Sequence, residues 1–290
     1  MMLAWVYSGL RLVHFSVLMM ALGCLLYAVW WATPTLRRVI MRRYYSALRM
    51  FFALNAVSAT AMMMIQGGQM GDGWGDVLSP DVWLAVAGTR FGSVWLWQIL
   101  LSWVTLVVVW MAARRHAALL LMLCIAQFLL LAGVGHAAMR DGVPGVLQQI
   151  NHAVHLLCAA AWFGGLLPFI YCLHLANGRR RREAIVTMMY FSRYGHLAVA
   201  GVVISGMINA VLIQGSLWGD SAWGRLLLVK CGLVALMIIL ALINRYILVP
   251  RMSTSGVQTR QWFLRATQAE VVLGALVLAT VSVFATWEPF

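Results

Sequence analysis

Charge is what this chain of 290 residues has least of. Only 10% of the residues are Asp, Glu, Lys or Arg, against roughly 25% in an average soluble domain. Eight are acidic, and lysine occurs once, as Lys230. Hydrophobic residues make up 63%, more than a soluble fold of this length could cover, so lipid is the solvent for much of the surface. The five cysteines, Cys24, Cys124, Cys158, Cys172 and Cys231, form no C-x-x-C pair and fall inside apolar stretches, which argues against a disulfide framework. No G-x-x-x-x-G-K-[ST] run occurs, so a P-loop ATPase is excluded as a power source. No tandem repeat or low-complexity tail is visible. The first apolar stretch lacks a basic leader and is too long for a signal peptide, so it reads as a retained helix.

What is present is a series of long apolar runs. They fall at about 4–32, 47–66, 91–112, 117–139, 150–175, 184–213, 223–249 and 264–286. Each is close to the ~20 residues that a membrane-crossing helix needs. The expected fold is all-α: one polytopic transmembrane domain over residues 1–290, crossing about eight times. The net charge of +13 would suggest nucleic acid in a soluble protein, but here the arginines sit in short loops between apolar runs. Arg37, Arg38, Arg42 and Arg43, then Arg114 and Arg115, then Arg179 to Arg182, then Arg251 and Arg260 occupy alternate loops. Asp72, Asp76, Asp81, Asp141 and Asp220 occupy the others. Arginine-rich loops stay in the cytoplasm, so both termini are expected outside, and no nucleic-acid partner is expected.

The longest outer loop, between the second and third runs, contains Ser79-Pro80-Asp81. Serine before proline before an apolar stretch reads as an N-cap and first helical turn, predicting a short interfacial helix over Pro80 to Ala87. Trp74, Trp83, Trp95, Trp97, Trp218, Trp223 and Trp287 are expected to form an aromatic belt at the outer boundary.

Ionisable residues inside spans are costly, so each is a candidate for function. They are Arg11, His14, His136, His152, His155, Arg193, His196, Lys230, Arg245 and Glu270. Arg245 and Glu270 lie at matched depth near the cytoplasmic ends of neighbouring spans and are expected to form a structural ion pair, with Arg193 as the alternative partner. Lys230 is placed to snorkel outward. His152 and His155, spaced i, i+3, share a helix face that Cys158 continues one turn deeper. His136 ends the preceding span at the same outer mouth, with Met139 one turn beyond. His14 lies roughly 15 Å from the outer end of its helix and His196 roughly 18 Å from the inner end of its own, so both fall near mid-membrane. His116 and His174 read as interfacial. Methionine is abundant, at 18 residues, with Met62, Met63, Met64 and Met70 near the outer end of the second span. Imidazole and thioether donors suit copper, whereas the scarcity of intramembrane carboxylates argues against Mg or Ca. The same histidines would serve b-type haem, as His14 with His196 or His136 with His155.

Several stretches resemble the copper resistance protein D (CopD) family, closest to its enterobacterial branch. They are Asn151-His152-Ala153-Val154-His155, then Ala159-Ala160-Ala161-Trp162-Phe163-Gly164-Gly165-Leu166-Leu167-Pro168. Phe191-Ser192, Gly206, Asn209, Gly224-Arg225-Leu226-Leu227-Leu228-Val229-Lys230 and Asn244-Arg245 add to these, with Leu12-Val13-His14-Phe15 and Gly133-Val134-Gly135-His136 in the first half. The resemblance implies a bacterial inner-membrane protein of copper homeostasis. It would act with a separate periplasmic copper-binding protein of the CopC type. The expected function is a copper permease rather than an enzyme, taking Cu(I) or Cu(II) inward through His136, His152, His155 and Met139, then His14 and His196. The alternatives are a haem b electron-transfer protein on the same histidines, and a membrane scaffold in which they only hydrogen-bond.

Overall fold

A backbone in lipid must satisfy its own hydrogen bonds, and this chain does so with helices alone among the described residues. The computed structural model describes residues 2–112, 116–135, 140–216, 219, 221–251 and 256–287. In chain order the helices are α1 Met2–Leu26, α2 Pro34–Arg43, α3 Tyr45–Met70, α4 Pro80–Ala87, α5 Arg90–Ala112 and α6 Ala117–Ala132. They continue as α7 Gly142–Leu175, α8 Arg181–Gln214, α9 Ala222–Ile243, α10 Val249–Arg251 and α11 Gly256–Phe284. A π-helical turn, Tyr27–Trp31, extends α1, and a second, Asn244–Leu248, joins α9 to α10.

Seven of these helices are long and apolar enough to cross a membrane. α6 is shorter, at 16 residues or about 24 Å, against a core of about 30 Å. It nonetheless returns the chain across the bundle. Arg90 at the start of α5 pairs with Asp141 at the start of α7 at 2.9 Å, so both helices begin at the same end. α6 therefore runs back toward that end. The expected fourth span is helical to Ala132, and its last residues, 136–139, lie outside the described set.

The bundle has two chemically distinct ends. Asp72, Asp76, Asp81 and Asp141 lie at one, with α4, the start of α1 and the end of α11. Leu3 meets Gly68 there, Trp223 meets the ring of Phe284, and Arg140 donates to the Leu212 carbonyl at 3.1 Å. Arg37, Arg38, Arg42, Arg43, Arg179 to Arg182, Arg251 and Arg260 lie at the other. That end is tied by Thr35 to Glu183 at 2.8 Å and by Arg260 to the Leu173 carbonyl at 3.2 Å.

Local chemistry sets the helix ends. Thr33 accepts from the Leu36 amide, and Pro34 occupies the first turn of α2, a helix where the sequence suggested only a loop. Arg37 of α2 reaches back to the carbonyls of Ala28 and Val29, each at 2.7 Å, covering the acceptors left open where α1 ends. α4 begins at Pro80, after an extended Ser79.

α1 packs against α3, α6, α7 and α11, and α7 packs against α1, α6, α8 and α11. The molecule is thus two lobes, α3–α5–α6 and α8–α9–α11, sharing α1 and α7. The shared seam is backbone against backbone. A Cβ on Gly164 would lie 1.9 Å from the Met19 carbonyl oxygen, and one on Gly23 would lie 2.0 Å from the carbonyl carbon of Gly164. Small residues at such crossings let helices gain packing where lipid offers no hydrophobic drive. Away from the seam, Leu100, Trp103 and Val107 of α5 and Leu197, Ile204 and Ile208 of α8 are exposed, as lipid-facing residues are.

Two tryptophans depart from the expected belt. Trp95 is buried and donates to the Ala59 carbonyl at 2.8 Å, and Trp223 is buried edge-on against Phe284. The Trp95 indole N–H finds an internal acceptor and so has no need of the headgroups. Trp74, Trp97 and Trp287 are exposed, and Trp218 lies outside the described residues.

Candidate metal centre

Two polar clusters lie inside the bundle, each built around a histidine. The first belongs to the lobe of α3, α5 and α6. Its hydrogen positions follow from one fixed point, the carbonyl of Leu101. Thr105 donates to that carbonyl at 2.6 Å, so its oxygen is free to accept from Gln127 Nε2 at 3.0 Å. Gln127 Oε1 then accepts from Asn55 Nδ2 at 2.6 Å and Gln98 Nε2 at 3.4 Å. Gln98 Nε2 also reaches His14 Nε2 at 3.2 Å, and an amide nitrogen only donates. His14 Nε2 therefore accepts, and Nδ1 carries the proton toward Ser58 Oγ at 3.0 Å. Ser58 passes its own proton to the Asn55 carbonyl at 3.1 Å. His14 has no exposed surface, and both of its nitrogens are in use.

The second cluster spans α7 and α8. Asn151 Nδ2 donates to the Ser205 carbonyl at 3.0 Å and to Asn209 Oδ1 at 2.9 Å. This turns Asn209 Nδ2 toward His152 Nδ1 at 3.3 Å, so His152 accepts there and carries its proton on Nε2. Ser205 donates to the Gly201 carbonyl, leaving its oxygen to accept from His155 Nδ1 at 3.0 Å. His155 Nε2 is then an unprotonated lone pair, and the Val202 backbone also lies within hydrogen-bond reach of the ring. The two rings lie parallel, 6.3 Å apart between centroids and 10° between planes. Gly206 makes room, since a Cβ there would lie 3.3 Å from His155 Cε1. One turn deeper, the Cys158 sulfur fills the space beside Gly201.

The charge around this pair is positive. Lys230 of α9 lies within electrostatic reach of both rings, and Arg11 of α1 within reach of His152. No group of three or more His, Cys, Asp or Glu positioned to hold a metal occurs among the described residues. The donor set visible here is two imidazoles, with a thiol below.

The other expected site residues fall elsewhere. His136 and Met139 lie outside the described residues. His14 and His196 do not face each other. His196 is exposed on α8, donates Nδ1–H to the Ser192 carbonyl at 2.6 Å, and has the Arg245 guanidinium 3.4 Å away. The expected Arg245–Glu270 ion pair does not form. Glu270 accepts from Asn244 at 2.6 Å, while Arg245 turns to the Ser192 carbonyl at 3.0 Å and hydroxyl at 2.5 Å. The π-helical turn that begins at Asn244 explains the miss, because it rotates the next side chain off the face that regular helix spacing would give it.

Asn55, Gln98, Gln127 and Ser205 were not singled out from the sequence. Each is a neutral polar residue in an apolar run, a signal that a search limited to ionisable residues passes over.

Comparison with known proteins places this geometry in a family. Residues 2–146 match the model "Copper resistance protein D-like, N-terminal domain", and residues 185–284 match "Copper resistance protein D". The chain is 49% identical to inner membrane protein YebZ of Escherichia coli (strain K12), over the whole of both chains. It is 31% identical to copper resistance protein D of Pseudomonas syringae pv. tomato, over 59% of this chain and 58% of that one. It is 25% identical to copper transport protein CutJ of Bacillus subtilis (strain 168), over 94% of this chain and 51% of that one. No solved structure matches it. A polytopic helical chain of the inner membrane, matched by both family models and end to end by a relative, this protein belongs to the copper resistance protein D family.

Proposed function

We propose that the chain is a copper permease that moves copper from the periplasm toward the cytoplasm, with His155 as the receiving ligand and His152 beside it. The observation that carries this reading is the His155–Ser205 bond. Histidines that bind metals commonly donate their other ring N–H to a nearby oxygen, which fixes the tautomer and aims the lone pair. His155 is arranged in that way, and imidazole suits copper in either common oxidation state. The aspartate end is the periplasmic face, with both termini outside, because the arginine-rich loops are retained in the cytoplasm. A separate CopC-type protein delivers the metal, and His136 and Met139, the other ligands expected from the sequence, lie outside the described residues. With Lys230 and Arg11 nearby and no carboxylate facing it among the described residues, the site holds a cation weakly. Weak holding suits passage, since an ion that is to be conducted must also leave. The names of two relatives, a copper resistance protein and a copper transport protein, support copper as the cargo.

His14 has no part in ligation in this arrangement, because its Nε2 accepts from Gln98. For the same reason the geometry lends no support to haem b between His14 and His196. The test is metal and haem analysis of the purified protein loaded with copper under reducing conditions. Copper is expected to be retained by wild type and by His14→Ala, and lost in the His152→Ala, His155→Ala double variant. Full copper binding by the double variant would overturn the site. A Soret band with stoichiometric iron would replace copper with haem.

A further inference from the structure

Glu270 sits midway along α11, about 21 Å from either end of the helix, and is 3% exposed. Its partners are all neutral. Asn244 Nδ2 donates to it at 2.6 Å, and the Trp162 indole of α7 lies close by. Thr267, one turn back, bonds the Phe263 carbonyl and receives Asn244 at 3.4 Å. Among the described residues no charged side chain forms a salt bridge with Glu270. Arg245 of the π turn is on Ser192 and beside His196. On α1, Arg11 lies within electrostatic reach of Tyr7, His14 is on Ser58 and Gln98, and Cys24 lies within electrostatic reach of Tyr44. On α7, His155 is on Ser205. On α9, Lys230 lies 14 residues, about 21 Å of helix, from Asn244. A carboxylate left in a membrane interior without a counter-charge costs several kcal/mol. The neutraliser that fits a space filled by protein is a proton.

We propose that Glu270 is a membrane-embedded proton-exchange site, separate from the histidine pair, that takes up and releases a proton as copper crosses. The coupling rests on the permease reading, but the proton site does not. Asn244 serves both states of the carboxyl. Its NH2 donates to the carboxylate in the arrangement seen, while its Oδ1 is buried without a partner. Turning that amide over offers Oδ1 to the O–H of the protonated acid. Asn244 opens the π-helical turn, a deformation that recurs at functional positions and frees the local backbone to move. Trp162 lies seven residues beyond His155 on α7, so one helix face bears both the metal-receiving ring and an indole close to the carboxyl.

Two measurements on the full chain in proteoliposomes test this. In infrared difference spectra between acid and alkaline pH, wild type is expected to show the carbonyl stretch of a protonated carboxyl, and Glu270→Gln to lack it. A band of full intensity in Glu270→Gln, or one that follows sodium instead of pH, overturns the proposal. With radioactive copper, Glu270→Gln is expected to keep copper–copper exchange at equal pH and to lose net uptake driven by a pH gradient. Gradient-driven uptake equal to wild type overturns the coupling. Wild-type vesicles that neither exchange nor accumulate copper defeat the permease reading, and the infrared measurement still decides the proton site. Should Glu270→Gln not yield monodisperse protein, Asn244→Ala keeps the carboxyl and is expected to shift the pH midpoint of the band. An unmoved midpoint counts against the site.

Discussion

His14 of α1 and His155 of α7 each give an Nδ1 proton to a serine hydroxyl on a neighbouring helix, both at 3.0 Å. In the first lobe the other nitrogen is covered by Gln98, and the network runs from one backbone carbonyl to another. In the second it is left as a lone pair beside a second imidazole. A closed network fixes packing and has nothing to offer a ligand. An open one is aimed but incomplete, as a binding site must be. The lobes thus divide the work: the first holds the shared helices in register, and the second exposes chemistry along α7.

The largest effect is expected at the seam through which one lobe positions the other. Gly164→Leu would drive a side chain into the α1 backbone, at a cost of more than about 4 kcal/mol. It should yield no monodisperse protein by size-exclusion chromatography, and a stable, copper-binding variant would show that the lobes are independent. Next comes Gln127→Leu, which strips the acceptor from two buried amides, Asn55 Nδ2 and Gln98 Nε2, at about 1–3 kcal/mol each. Thermal unfolding should occur well below wild type while copper binding per folded molecule is unchanged. A loss of copper affinity in the folded fraction would make the first lobe part of the site.

The serines give the sharper comparison. Ser205→Ala removes the acceptor that aims His155 and is expected to weaken copper binding by about 10–100-fold. Ser58→Ala, the same change on His14, should lower stability and leave copper affinity as it was. Equal effects on affinity would erase the distinction between open and closed. Asn209→Asp should act in the opposite direction. A carboxylate facing His152 Nδ1 accepts a proton there and frees Nε2 as a second lone pair. Copper affinity should rise by about tenfold in equilibrium competition with a chelator, and no gain would confine ligation to His155.

The helices, the short helix at Pro80 and the clustering of most arginines at the end opposite the aspartates were legible from hydropathy and loop charge, because lipid enforces those patterns locally. The pairing of His152 with His155 was legible too, since i, i+3 spacing fixes a shared face whatever the tertiary fold. What failed depended on helix rotation and crossing. His14 and His196 have matched depths, but depth says nothing about facing, and they point into different environments. Arg245 and Glu270 also matched in depth, but a π turn, which no residue pattern announces, swung them apart. Trp95 resembled a boundary residue until α3 supplied a carbonyl for its indole. The amides of Asn55, Gln98 and Gln127 were visible as letters, but their meaning lies in three helices meeting.

The smallest expected effect concerns the salt bridge that ties the first lobe to α7 at the aspartate end. Arg90 and Asp141 join the starts of α5 and α7 at 2.9 Å, and on geometry alone they look like a clasp. Their side chains are 53% and 91% exposed, so water and salt compete for both charges. Exposed pairs contribute about 0–1 kcal/mol, far below the cost of opening a backbone-to-backbone seam. Asp141→Asn should therefore move the unfolding temperature little, and less still in high salt, with copper binding intact. A larger shift that persists in salt would mean that the end of the bundle, rather than the glycine contact between α1 and α7, holds the closed lobe against the open one.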